Sequence, residues 1–362
     1  MPQAYSRFAA RFKDIQGAWV VRQARFANGV ILLVLLGLFL NAPRLMAVVD
    51  ANSPANTNAP PDGSPWDHVG TVNGASGIYV GNGWVLSAAH VGWGNFLLSD
   101  ATYPFDGNTL RLTNADGSMT DMVMFHLSPQ PNLPSLLLAT NTPGDYAQVD
   151  MIGYGKIAGS AEMTLGSYRG FYCSGPGYKS WGNNKLKPGG AFVINAGLGD
   201  IMVFATDFTS PGTPDPGSQT TQEAQGAVGD SGGAVFHQTI SGWELAGMID
   251  AVGVYPDQPA NTAVYTDETY LGDIATYRPQ IAAWRASTAP ILTLTRVGTT
   301  IQICWPDTGV GYDLEAAGNL SNPTWIAVAL NPPASNGRVC VALPASGSAR
   351  FFRLHLNGPP PP

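Results

Sequence analysis

Residues 226–236, GAVGDSGGAVF, place an acid directly before a serine and fence the pair with glycines. Two readings compete. Short Gly/Ser clusters make tight surface turns that carry no chemistry. The same pattern suits a loop that presents a nucleophilic hydroxyl, because glycine lets the backbone bend sharply and pass close to its neighbours. A serine hydroxyl is a weak nucleophile near neutral pH and needs an adjacent base to take its proton. The deciding feature is therefore a histidine in an equally specific setting.

The chain has five histidines, at 68, 90, 126, 237 and 355. His90 closes the phrase GNGWVLSAAH (81–90), where a strand-like WVL runs into small residues that allow close packing. That arrangement delivers an imidazole at a strand end. The other four histidines read as ordinary loop or strand residues.

These two stretches resemble the trypsin-like (chymotrypsin-type) serine proteases, in the manner of secreted bacterial members. Residues 84–90 match that family's W-[VIL]-L-[ST]-A-A-H, and residues 229–233 match its G-D-S-G-G. They stand in the family's order, about 140 residues apart. The acid between them that best fits the family's strand D-[IL]-A-[LV]-[LI]-x-L is Asp121, in TDMVMFHL (120–127), whereas Asp100, Asp106 and Asp116 read as turn residues. The alternative reading of residues 229–233 as G-x-S-x-G belongs to α/β-hydrolases, whose order is Ser, acid, His. It needs His237 or His355 as base and a parallel βαβ pattern, which the sequence lacks.

The resemblance implies Ser231 as nucleophile, His90 as general base and acid, and Asp121 as the group that orients the imidazole. It implies the Gly229 and Ser231 amides as an oxyanion hole. Asp230 would order that loop. It also places Gln225, Asp250, Val252 and Ala263 around the substrate pocket. With no acid at Gln225, a small or mid-sized uncharged residue is expected before the cleaved bond. The departures are specific. Val91 follows His90 where a disulfide cysteine is usual, and no I-V-G-G start is present to supply a buried N-terminus. Asp250-Ala251-Val252 replaces S-W-G. Asp250 then reads either as a second carboxylate near Asp121 and His90 or as a buried hydrogen-bonding residue.

Outside these motifs, Gly (43) and Pro (29) are abundant while charged residues make up only 12% of the chain, which suits many short strands joined by turns. Strand-like runs recur between residues 76 and 270. One helical pattern, residues 271–286, sets Leu271, Ile274, Tyr277, Ile281 and Trp284 on one face. The expected fold is all-β: a trypsin-like pair of six-stranded antiparallel barrels over residues 66–286, ending in a helix. A small sandwich-like β module follows over residues 290–357, with a Pro-rich tail at 358–362. In that module Cys304 and Cys340 are able to pair, leaving Cys173 over.

Basic residues followed by the apolar run VILLVLLGLFL (30–40) make residues 1–47 a signal peptide or an N-terminal anchor, with cleavage expected after Ala47. Residues 48–65 read as a linker. Residues 1–47 hold six of the 18 Lys/Arg and one of the 25 Asp/Glu, so their removal leaves 12 basic and 24 acidic side chains, a formal charge of −12. That sign argues against nucleic acid or an anionic membrane surface as partner. Contact with a membrane is expected only through an uncleaved N-terminal segment. The expected location is exported: extracellular, periplasmic or at the cell surface. No cysteine has metal-ligand spacing, so no metal or organic cofactor is implied. The expected activity is hydrolysis of protein or peptide substrates by a serine endopeptidase. The alternative is a secreted binding or adhesion module on an inactive scaffold of the same fold.

Overall fold

The computed structural model describes residues 48–51, 56–159, 161–212, 220–288, 290–306, 312–335, 338–345 and 350–356. The expectations for residues 1–47 and for the tail at 358–362 lie outside them. The fold is all-β, with one α-helix and one short 3-10 turn, Trp66–His68, among the described residues. No described helix is long and apolar enough to cross a membrane.

Two seven-stranded antiparallel sheets make up the body of the molecule. The first runs, in spatial order, Ala101–Tyr103, Phe96–Leu98, Val69–Val72, Ala75–Gly81, Trp84–Ala88, Met119–Leu127, Phe105–Thr113. Its hairpins are written locally. Asn73-Gly74 and Asn82-Gly83 all have positive φ, the conformation of two-residue turns whose twist matches that of paired strands. The second sheet runs Ser180–Lys185, Gln148–Gly153, Ala234–Thr239, Gly242–Gly253, Glu268–Asp273, Asp200–Asp207, Phe192–Asn195. Both sheets feed one apolar cluster, in which Ile78, Leu86, Met122 and Met124 of the first meet Ile152, Phe236 and Met248 of the second. Burial of this kind contributes about 25 cal/mol per Å² of apolar surface.

The helix spans Ile274–Thr288 and does not include Leu271, which lies in the strand Glu268–Asp273. The reason is local. Asp273 accepts hydrogen bonds from the Ala275 N–H and the Thr276 hydroxyl, so it caps the helix and fixes its start. Ile274, Tyr277 and Ile281 are buried, while Trp284 is 41% exposed and packs edge-on against Trp84. The helix end is tied to the first sheet. Arg285 donates to the carbonyls of Val80 and Leu136, Trp84 Nε1 donates to Thr288 Oγ1, and Thr288 Oγ1 donates to the Asn82 carbonyl.

The described parts of residues 48–65 do not form a free linker. Val49–Asp50 pairs antiparallel with Ala224–Gln225, and Val48 and Val49 are buried. Asn56 accepts from the Trp181 N–H through its carbonyl and donates its side-chain amide to Asp50 and Gln222. Two adjacent valines have apolar surface to bury, and that gain offsets the entropy of ordering the segment.

Residues 290–356 add a four-stranded and a three-stranded antiparallel sheet around a cluster of Ile303, Trp305, Tyr312, Leu314 and Val339. Cys304 and Cys340 face each other across neighbouring strands and are disulfide-bonded, while Cys173 is a buried free thiol.

Candidate functional site

His90 lies just beyond the strand Trp84–Ala88, and Asp121 lies on the neighbouring strand Met119–Leu127. Antiparallel pairing therefore sets the two side by side. The Asp121 carboxylate is fully buried and holds His90 twice: Oδ1 accepts the His90 backbone N–H at 2.9 Å, and Oδ2 lies 2.8 Å from Nδ1. A neutral imidazole that carries its hydrogen on Nδ1 would donate it to Oδ2 and leave Nε2 with a lone pair facing away from Asp121. This hydrogen bond also raises the imidazole's affinity for a second proton above its ordinary value, against a smaller opposing effect of burial.

Ser231 belongs to the second sheet, in the turn that leads into Ala234–Thr239. It shares a cleft of about 560 Å³ with His90, Gly229 and Asp250. Its hydroxyl donates to the Asp250 carbonyl at 3.3 Å rather than to His90. Gly229 has φ of 101°, a left-handed conformation that side chains disfavour. Neither the Gly229 nor the Ser231 N–H is engaged by an acceptor among the described residues, and both residues line the cleft.

The loop around Ser231 is fastened from both sides. Asp230 is wholly buried and accepts the N–H groups of Gly155 at 2.6 Å and Ala227 at 2.9 Å, together with that of Val48. Burial nevertheless pushes its carboxyl up to about 7, since no cation faces it among the described residues. Val48 itself has φ of 38°, a strained value for a β-branched residue. On the other side stands Ser76 of the first sheet, a fully buried residue that the motifs do not mark. Its N–H donates to the Ser231 carbonyl, its hydroxyl donates to the Gly229 carbonyl at 3.0 Å, and the same hydroxyl accepts from the Tyr154 N–H.

Asp250 sits at a bulge: the pairing of Gly242–Gly253 with Glu268–Asp273 slips by one residue between Ile249 and Ala251. A bulge re-aims the side chain it carries. The carboxyl is 1% exposed, and neither oxygen has a hydrogen-bond partner. It lies with His90 and Asp121, their candidate ligand atoms all within 4.8 Å of one another. Burial first, then the nearby Asp121 charge, push it up to about 7. Of the two sequence readings of Asp250, the geometry matches the carboxylate beside Asp121 and His90.

Val252 lines the cleft and also a smaller adjoining cavity of about 170 Å³, with Gly226, Ala227, Val254 and Cys173. Lys156 is the one charged residue on its wall and donates Nζ to Asn261 Oδ1. Two expected pocket residues line neither cavity. Gln225 is fully buried, with its amide bonded to the Glu268 carbonyl and the Thr269 hydroxyl. Ala263 is buried in the strand Thr262–Val264 opposite Phe171. The motif around Ala263 misleads because the strand running into the helix is Glu268–Asp273, five residues further on.

No family model matches the chain, and no curated protein matches its sequence. The structure is similar to a solved structure of kallikrein-related peptidase 10, with a TM-score of 0.37 and 15% identity, covering 64% of this chain and 100% of that one.

Proposed function

We propose that the chain is an exported serine endopeptidase acting through Ser231, His90 and Asp121. One observation carries this reading. An imidazole oriented by a buried carboxylate opens onto the same cleft as a serine flanked by two unengaged backbone N–H groups. Ser231 Oγ attacks the scissile carbonyl as His90 Nε2 takes its proton, and the Gly229 and Ser231 amides receive the developing oxyanion. His90 then protonates the leaving amine, and water activated by the same base hydrolyses the acyl-enzyme. The cavity lined by Ala227, Val252 and Val254 favours a small or mid-sized apolar residue before the cleaved bond.

Cleavage after Ala47 belongs to this reading. It would turn the Val48 N–H that Asp230 already accepts into a charged α-amino group, supplying the buried carboxylate with a counter-charge. It would also end the strain at Val48, because an N-terminal residue has no φ to satisfy.

The second reading, a trypsin-fold binding module without activity, draws on the Ser231 hydroxyl being bonded to Asp250 and not to His90. Labelling with a fluorophosphonate probe separates the two. The peptidase reading expects labelling of the wild type at Ser231, none in Ser231→Ala, and much slower labelling in His90→Ala. A folded protein that begins at Val48 and takes up no label belongs to the second reading.

A further inference from the structure

We infer that His90, Asp121 and Asp250 together form a binding site for a divalent transition-metal cation of the Zn²⁺ type, and that the bound ion switches the site off. The inference rests on the reading of His90 as the base. It begins from Asp250, whose two carboxylate oxygens are buried and unpartnered while its side chain is turned by a strand bulge toward His90 and Asp121. Buried anions are ordinarily paired or bound to metal. Here another carboxylate and an imidazole offer ligand atoms within 4.8 Å.

The donor set selects the kind of ion. Two carboxylate oxygens and one imidazole nitrogen suit Zn²⁺, Co²⁺ or Mn²⁺, whereas Ca²⁺ takes six to eight oxygen ligands. Metal–ligand bonds of about 2.0–2.2 Å place tetrahedral ligand atoms about 3.4 Å apart. The three ligand atoms already lie within 4.8 Å of one another, so a small swing of side chains closes the site. Three protein ligands leave a fourth position, and the cleft beside His90 gives it water.

The cost of occupancy falls on the base. The nitrogen facing Asp121 is Nδ1, and its hydrogen bond holds the ring in place. A metal there replaces the Nδ1 hydrogen, which leaves to solvent, and removes the contact with Asp121 that orients the ring. The ion and the catalytic proton relay therefore exclude each other. No sequence spacing announces such a site, since its ligands come from positions 90, 121 and 250.

The test uses the mature chain purified with a chelator. Ser231→Ala, which cannot turn over, is titrated with Co²⁺ and followed by its visible absorption, then with ZnCl₂ by calorimetry. One ion per chain is expected, with affinity at least about tenfold weaker in Ser231→Ala carrying Asp250→Asn or Asp250→Ser. Asp106→Asn, which removes the separate Asp106–His126 pair, should leave the affinity unchanged. In otherwise wild-type protein, Zn²⁺ should slow fluorophosphonate labelling and EDTA should restore it, with neither effect in Asp250→Asn. Absence of binding by folded Ser231→Ala at millimolar Zn²⁺, or binding indifferent to both Asp250 substitutions, overturns the inference. It would mean that a proton shared by the two carboxyls takes the ion's place. Metal binding without any probe labelling of the wild type instead refutes the peptidase reading and leaves the metal site standing.

Discussion

The hydroxyl of Ser76 donates to the carbonyl of Gly229 at 3.0 Å, joining a strand of the first sheet to a turn 153 positions away that leads into the second. That carbonyl belongs to the peptide that follows the Gly229 N–H, so the bond fixes which way the turn presents its donors. Ser76→Ala leaves a buried carbonyl and the Tyr154 N–H unsatisfied, at a cost of roughly 1–3 kcal/mol in stability. Loss of one oxyanion donor lowers kcat by about 10²–10³. Loosening that donor should cost somewhat less, about 10- to 100-fold in kcat with KM little changed. Steady-state kinetics beside urea unfolding checks both halves.

Asp121→Asn should leave the fold intact and reduce kcat by about 10⁴ near neutral pH, because an amide can present its NH₂ to Nδ1 and favour the wrong tautomer. Residual labelling should recover as pH rises. A loss of less than tenfold across the pH range would remove Asp121 from the mechanism.

The grouping of Ser231, His90 and Asp121 was legible in sequence because it is written in short, contiguous stretches. The turn at 229–233 and the phrase at 84–90 each confine their residues within one loop, and Asp121 follows from its place at the head of an apolar strand. Ser76 was not legible. Its partners are backbone groups of Tyr154, Gly229 and Ser231, and a contact with a carbonyl leaves no mark on the partner's side chain. Gln225 and Ala263, which line neither cavity, are held by buried hydrogen bonds and strand pairing that their residue types do not announce. Asp250 lay between: its identity drew notice, but the bulge that aims it is a property of strand pairing.

Two buried carboxyls outside the proposed metal site should make stability fall with rising pH. Burial pushes Asp150, and Asp230 in a chain that keeps residues ahead of Val48, up to about 7, so the folded state keeps protons that the unfolded state releases near pH 4. The unfolded chain then binds fewer protons between those values, and stability declines from about pH 4 to about pH 7. Asp150 also faces the Asp62 charge, and one of its oxygens has no hydrogen-bond partner. Asp150→Asn should therefore become steadily more stable relative to the wild type across that window, by a few kcal/mol on the order of the full shift. Urea midpoints at pH 4, 5.5, 7 and 8 test the slope, and parallel curves for the two proteins contradict it.

A chain that starts at Val48 should label faster and melt higher than one with residues retained ahead of Val48. The free α-amino group, with an ordinary pKa of about 7.7–8.0, is charged at neutral pH and faces the otherwise uncompensated Asp230. Acetylating that terminus should cancel the difference. Mass spectrometry of the protein isolated from its native source identifies the natural first residue, and a mature form beginning well beyond 48 would exclude this pairing.

The cavity beside Ser231 sets a final expectation. Peptide-library cleavage should favour Ala, Val or Thr over Arg, Lys and large aromatics before the scissile bond. Val252→Ala should extend acceptance to Leu and Met, since each methylene accommodated is worth about 1–3 kcal/mol. A profile led by Arg or Lys in the wild type counts against this cavity as the primary subsite.

The ties between the helix end and the first sheet bear on the order in which the molecule is made. Trp84 and Thr288 are 204 positions apart, and Arg285 reaches Val80 across 205. A chain emerging from the ribosome N-terminus first at roughly 5–20 residues per second acquires these partners tens of seconds apart. Until residue 288 is synthesised, the strand leading to His90 lacks its closing contacts, although Ser231 has already been made. The two seams therefore become available in sequence: the Ser76 contacts with Gly229 and Ser231 need only residues up to 231, whereas the helix end can close on the first sheet only once residue 288 is made.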